Sequence, residues 1–294
     1  MPELPDVVVY VERLAALLVG RPLDDVRVFS PFLLRTVDPP LSAAHGRKLT
    51  DARRVGKRIA MEFEGDLFVV VHLMIAGRLR LRPASARPNR SQTLAVFRFG
   101  DDALWLTEAS KRQRAALYVV PGEAELAAMD PGGLDVLASD LNAFAEALRR
   151  ERHTVKRALT DPRLFDGIGN AYSDEILHAA RLSPVTRTDR LTADEVNRLY
   201  EAARATLRFW IERTRHEVGD GFPEKVTAFR DGMRVHGRFR RPCPVCGSPV
   251  QRVVWAENEM NYCATCQTDG RVLSDRALAR LLGASWKGWS LKED

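Results

Sequence analysis

Cysteine is scarce in this sequence, with four in 294 residues. That is too few for the disulfide framework that holds small secreted domains together. No apolar run approaches the roughly 18 residues of a membrane span. The run at residues 67–71 (Leu-Phe-Val-Val-Val) has the length of a strand. The start of the chain lacks a basic segment followed by a long apolar one, which argues against a secretory signal. There is no internal repeat and no long low-complexity segment. Hydrophobic residues make up 45% and charged residues 29%, enough to bury a core and too apolar for wholesale disorder. A cytosolic chain with no membrane partner is expected.

What is abundant is arginine. Lys plus Arg number 45 against 39 acids, a net charge of +6, and most of the bases are Arg. A planar guanidinium suits two-point phosphate contacts better than an ammonium does. A mildly basic surface is common in proteins, so charge alone only raises the case for nucleic-acid binding.

The length implies about two domains. Residues 6–19 read as an amphipathic helix with Val9, Leu14, Leu17 and Leu18 on one face, stopped by Gly20-Arg21-Pro22. From about 23 to 120 the period becomes two. Strands are expected at 26–29, 59–63, 67–72, 79–81, 93–99, 103–107 and 116–120, with turns at Gly65-Asp66 and Gly100-Asp101-Asp102. That density of short strands implies an antiparallel sandwich or barrel. Pro121-Gly122 and Pro131-Gly132-Gly133 mark a junction. Helices follow at 143–150 (capped by Asn142), 154–160 (opened by Thr154), 170–181 (opened by Asn170) and 192–217 (capped by Thr192), with a last one at 274–282. The domains are therefore 1–125, a linker 126–139, 140–232, a cysteine-bearing segment 233–268 and an extension 269–294.

All four cysteines lie in Cys243-Pro-Val-Cys246 and, sixteen residues on, Cys263-Ala-Thr-Cys266. Two such knuckles, with room for a hairpin between them, present four thiolates to one Zn²⁺. With no open coordination position the metal would be structural. The basic run Arg238-Phe239-Arg240-Arg241 just before it suits a solvated face or a phosphate contact.

The N-terminus, Met1-Pro2-Glu3-Leu4-Pro5, is unusual. Removal of Met1 would leave Pro2 with a secondary amine. Its addition to a sugar carbon would give an iminium, an electron sink for elimination, with Glu3 alongside to move protons. Taken alone, a proline in second place is better explained by its permitting removal of Met1.

Four segments in order resemble the formamidopyrimidine-DNA glycosylase and endonuclease VIII family of base-excision repair enzymes. They are Met1-Pro2-Glu3-Leu4-Pro5; Arg53-Arg54-Val55-Gly56-Lys57; the stretch from Leu164 through Gly167-Ile168-Gly169-Asn170 to Glu175; and Val235-His236-Gly237-Arg238 leading into the finger that ends at Gln267. The resemblance spans residues 1–267. It implies an α+β multidomain fold: an N-terminal antiparallel β-sandwich with a flanking helix, then a helix–two-turns–helix domain and a Cys₄ zinc finger. It implies a monomeric glycosylase with abasic-site lyase activity on damaged double-stranded DNA.

By the same resemblance, Pro2 is the nucleophile at C1′, Glu3 its proton-handling partner and Lys57 a phosphate contact that assists elimination. Asn170 and Lys156 lie at the DNA backbone, while Tyr172 and Glu175 hold the motif together. His72, in an apolar strand, is expected to be a satisfied core histidine. The target nucleotide must leave the helix, and side chains fill the gap. In His72-Leu73-Met74-Ile75-Ala76-Gly77, Met74 or Ile75 would be the wedge. The family's Arg-Arg-Phe-Gly loop is replaced by Ser110-Lys111-Arg112-Gln113-Arg114-Ala115, which leaves Arg112 or a neighbour to face the orphaned base. Asn258 stands where the family's finger carries an Arg. The stretch 219–227 is shorter than the loop that caps 8-oxoguanine in formamidopyrimidine-type members. These departures point away from a dedicated 8-oxoguanine enzyme and towards oxidised or ring-opened bases. They also leave open a protein of this fold that binds damaged or abasic DNA without base excision.

Overall fold

The computed structural model describes residues 1–255 and 258–274. The helix expected at 274–282 falls almost wholly outside them. Contacts divide the chain into two units. The first is Met1–Pro131 with Phe209–Ala228, and the second is Gly132–Arg208 with Phe229–Asp294.

The first unit opens with helix α1 (Leu4–Leu18). Its start is fixed by a reciprocal cap: Asp6 Oδ2 accepts from the Glu3 N–H at 3.0 Å, and the Glu3 side chain turns back on the Asp6 N–H. Eight strands follow: β1 (Asp25–Val28), β2 (Leu49–Val55), β3 (Arg58–Phe63), β4 (Leu67–His72), β5 (Gly77–Pro83), β6 (Thr93–Phe99), β7 (Asp102–Glu108) and β8 (Ala116–Pro121). They form two antiparallel four-stranded sheets, ordered β1-β6-β7-β5 and β2-β3-β4-β8.

One core lies between the sheets and under α1. It takes Val7, Tyr10 and Leu14 from the helix and the alternate residues Val69, Val71, Phe97, Leu104 and Leu106 from the strands. β4 is apolar from Leu67 to Val71 because its other face is covered too. Phe68 and Val70 form a second cluster with Val120 and with Leu126 of α2 (Gly122–Ala127). The sequence reading has a loop and linker where α2 stands.

β2 is a further element that the sequence period does not mark. Its residues alternate poorly, and its pairing with β3 shifts register between Leu49 and Asp51, which breaks the two-residue period. The hairpin that joins β2 to β3 has a two-residue turn, Gly56-Lys57, with Gly56 at φ 60°. Glycine at the first turn position is what such a hairpin favours.

The second unit holds α3 (Leu141–Arg149), α4 (Val155–Thr160), α5 (Asn170–Ala180) and the first part of α6 (Ala193–Val218). α3 is capped by Asp140, whose Oδ1 accepts from the Ala143 N–H at 2.9 Å, and not by Asn142. α6 opens on the reciprocal pair Thr192 and Glu195. The finger follows as β9 (Val250–Trp255), β10 (Asn258–Cys263) and the single turn α7 (Ala264–Gln267).

Two adjacent buried acids of α5 join these pieces. Asp174 pairs with Lys156 Nζ of α4 at 2.6 Å and with His236 Nδ1 at 2.8 Å, and it accepts from the Asn261 N–H of β10 at 3.1 Å. Glu175 accepts from three consecutive backbone N–H groups, Arg234, Val235 and His236, at 2.7–2.9 Å. Glu175 thus holds the motif together, as its sequence position implies. Removing one member of a buried ion pair strands the other charge. Lys156→Met should therefore lower the unfolding free energy of the full chain by about 3–5 kcal/mol in urea titration. A loss below about 1 kcal/mol would show that His236 and the Asn261 amide suffice for Asp174.

Candidate active site and nucleic-acid interface

Around the start of α1, Met1 is half-buried, and Pro2, Glu3 and Asp6 are buried. The Met1 amine is held below its ordinary value, chiefly by burial. Glu3 opposes the shift, Arg78 adds to it, Asp6 opposes and Lys57 adds. Two acids and two bases from α1, the β2–β3 hairpin and β5 therefore act on the chain's first nitrogen. Burial settles the balance in favour of a neutral amine. While Met1 is attached, the Pro2 nitrogen is an amide without nucleophilic character. Its loss would place a secondary amine in the same neighbourhood.

Three turns of this unit present the remaining candidates. Lys57 is half-buried at the β2–β3 hairpin tip, where Arg54 donates to the Gly56 carbonyl at 3.1 Å. Leu73 to Gly77 form a tight turn closed by the Gly77 N–H on the Leu73 carbonyl at 2.9 Å. A Cβ on Gly77 would stand 2.3 Å from that carbonyl, so only glycine fits. The turn puts Met74 in the left-handed region (φ 52°), half-buried, and exposes Ile75 at 51%. Ile75, and not Met74, is thus the apolar side chain that faces outward. The loop with exposed Arg112 is tied at its base by buried Glu108, whose Oε2 accepts from the Arg114 and Ala115 N–H groups at 2.8 and 2.9 Å.

His72 ends β4 half-buried and opposite Arg58. Its imidazole titrates at about 4, lowered by burial first and then by Arg58 and Lys57.

In the second unit, Asn170 is the first residue of α5, after Gly169 as cap and Gly167 at φ 73°. A helix start preceded by glycines is an anion-binding arrangement. Lys156 differs from the expectation of a DNA contact. It is 5% exposed, and its ammonium binds Asp174 Oδ1 at 2.6 Å and the Asn170 carbonyl at 2.7 Å. It braces the helix start from within. The side chain of Asn258 lies outside the described residues, though its backbone opens β10 opposite Trp255.

The four cysteine sulfurs lie within 4.8 Å of one another. Cys246 and Cys263 are 3.4 Å apart, and Cys243 and Cys266 are 4.0 Å apart. Four thiolates at 2.3 Å from a tetrahedral zinc would be separated by about 3.8 Å, so the donor set fits a metal ion. His178 Nε2 stands 3.3 Å from Cys243 Sγ, an outer partner that the sequence reading did not pick out.

Family models match two stretches. The formamidopyrimidine-DNA glycosylase N-terminal domain covers residues 1–115, and the formamidopyrimidine-DNA glycosylase H2TH (helix–two-turns–helix) domain covers 133–220. A formamidopyrimidine-DNA glycosylase of Salinispora arenicola is 35% identical over 286 residues, spanning 91% of this chain and 96% of the relative. The chain belongs to the formamidopyrimidine-DNA glycosylase family. Among solved structures, the MutM (Fpg) protein of Thermus thermophilus aligns with a TM-score of 0.75 and 31% identity, covering 90% of this chain and 98% of that one. Lactococcus lactis Fpg, solved with DNA containing an abasic site, shares the fold at a TM-score of 0.80 and 22% identity, covering 90% and 99%. In this family member the β-sandwich, the helix–two-turns–helix domain and the cysteine cluster occur in the order that the sequence motifs imply.

The titration of His72 has a consequence for stability. Its folded value of about 4 lies below the ordinary 6.5, so the unfolded chain takes up the proton first as pH falls. Stability is full above pH 6.5 and declines from there towards pH 4, by about 2–3 kcal/mol for this group. His72→Gln should flatten that part of the stability profile. An unaltered decline in the variant would assign it to other groups.

Proposed function

We propose that this protein is a bifunctional DNA glycosylase and abasic-site lyase of base-excision repair, with Pro2 as its nucleophile. Family membership supports the class of reaction. The observation that supports the assignment of the nucleophile is the setting of the chain's first residues: Met1 is half-buried, Pro2, Glu3 and Asp6 are buried at the start of α1, and Glu3, Asp6, Lys57 and Arg78 act on the terminal amine.

With Met1 removed, the neutral amine of Pro2 attacks C1′ of an extruded nucleotide, and the N-glycosidic bond breaks. Ring opening converts the adduct to an iminium. Loss of the C2′ proton then expels the 3′ phosphate, which nicks the strand by β-elimination. Glu3 is the group placed to accept and return protons. Lys57 supplies a cation for the phosphate beside the lesion. Asn170 at the start of α5 is a second phosphate contact. Ile75 fills the vacated space in the base stack, and Arg112 faces the orphaned base. Cys243, Cys246, Cys263 and Cys266 hold one structural zinc ion. The substrate is an oxidised or ring-opened base in duplex DNA, the enzyme acts as a monomer, and its place is the cytoplasm with the chromosome.

Borohydride should trap a covalent complex with abasic duplex DNA. The N-terminal mass should show Met1 gone, and Pro2→Gly should abolish trapping. A complex that survives that substitution with its cross-link mapped to Lys57, and not to the chain's α-amine, would move the nucleophile to Lys57. Tight binding with no complex would leave a damaged-DNA binding protein. Metal analysis should find one zinc per chain. Its chelation should weaken DNA binding while the β-sandwich stays folded.

A further inference from the structure

Arg78 follows the Leu73–Gly77 turn directly and stands in no role so far beyond its effect on the amine. Its guanidinium binds two regions far apart in sequence. Nη1 donates to the Gly77 carbonyl at 2.6 Å and the Ile75 carbonyl at 3.3 Å, and Nε donates to the Val226 carbonyl at 2.5 Å. Val226 lies in the segment that follows α6, residues 219–228, which belongs to the same unit as the sandwich.

That segment is fastened along its length. Arg13 of α1 donates to the Gly221 carbonyl at 2.7 Å and also to that of Asp220. Phe222 packs on Tyr10 of α1 with ring centroids 5.6 Å apart. Arg82 of β5 grips Glu224 through two bonds of 2.6 and 2.7 Å. Phe222 and Val226 also join the main core of the unit. The segment is a strap held against α1 and β5. Arg78 is the point where the strap meets the turn that exposes Ile75.

We propose that Arg78 is a positioning residue for the reaction: through one guanidinium it locks the strap 219–228 to the Ile75 turn, holding both in one arrangement beside the N-terminus. The inference rests on the reading of the N-terminal amine as nucleophile. A guanidinium suits the task because its donors are fixed in one plane and reach two carbonyl directions at once, which a lysine ammonium on a flexible stem does not reproduce. Partial burial strengthens the clamp, since water competes less for the carbonyls. The same cation is one of the four charged groups acting on the amine, with Glu3, Asp6 and Lys57, so position and charge are separable by substitution.

The test uses full-length Arg78→Lys and Arg78→Met with Met1 removed, on duplex DNA carrying a ring-opened purine. Both variants should lose on the order of 100-fold in single-turnover excision, the scale of a misplaced reacting geometry. Their affinity for abasic-site duplex should be unchanged, and amide exchange of residues 219–228 should accelerate. Arg78→Lys keeps the charge and should leave the pH midpoint of borohydride trapping in place. Arg78→Met should move it upward, because Glu3 and Asp6 are then opposed by Lys57 alone. Should Arg78→Met fail to fold, the lysine variant carries the comparison. Excision at the parental rate in Arg78→Lys, or unaltered exchange of the strap, would overturn the proposal. If the parent itself forms no trapped complex, the nucleophile assignment fails, and the exchange measurement still decides whether Arg78 clamps the strap.

Discussion

A charge buried at the centre of the second unit governs how its parts are arranged. Removing a carboxylate from water is costly unless its lone pairs are met by donors and its charge by a cation. Asp174 satisfies both conditions through Lys156, His236 and the Asn261 amide. The neighbouring Glu175 meets the first condition with three backbone N–H groups of residues 234–236, while burial pushes its carboxyl above the ordinary value. Successive residues on a helix point about 100° apart. Two acids in a row therefore reach out in different directions, Asp174 to α4, β10 and the His236 ring, and Glu175 to the backbone of residues 234–236. The finger cannot shift on α5 without unpairing a buried charge. Lys156 adds a further consequence, for its ammonium also holds the Asn170 carbonyl. The helix start suited to a phosphate is set from inside the protein.

The first unit applies another solution to a similar need. Its candidate site residues Lys57, Ile75 and Arg112 sit on turns, where a side chain can project beyond the sheet, and each turn is tied at its base. Gly56 makes the hairpin that carries Lys57. Gly77 permits the close approach that exposes Ile75. Glu108 anchors the loop that carries Arg112. Met74 sits in a backbone region that costs a non-glycine residue about 1 kcal/mol or more. The turn is held in that shape by the Gly77-to-Leu73 closure and by Arg78 on the Ile75 and Gly77 carbonyls.

Features with a local cause were legible in the sequence. The alternation of 93–99 and 103–107, the caps Thr154 and Thr192, the two CxxC knuckles and the order of the family motifs all depend on residues close together in the chain. What escaped depends on contacts between distant residues. β2 carries a register shift that hides its period. Residues 209–228 look like the end of a helical domain and yet pack with the sandwich, because Phe222, Glu224 and Val226 find partners on α1 and β5. Lys156, placed at the DNA backbone by resemblance alone, proves to be buried against Asp174. Ile75 could be separated from Met74 only by the hand of the turn. Arg78 gave no signal, since its three acceptors are all backbone carbonyls.

The chemistry proposed for the N-terminus asks two things of its surroundings that conflict. The attacking amine must be neutral, yet the iminium that follows is a cation that must be tolerated. A site lined by bases alone would favour the first and oppose the second, and a site lined by acids alone would reverse this. At the half-buried first nitrogen Glu3 and Asp6 oppose Arg78 and Lys57, and burial, the largest influence, shifts the amine towards its neutral form. Glu3 and Asp6 then remain to stabilise the positive charge once it forms. Their own placement is fixed, because each helps to cap the backbone of α1. The reciprocal cap that begins the first helix thus also fixes the two carboxylates that act on the first nitrogen, and the fold of the first turn and its electrostatics are one arrangement.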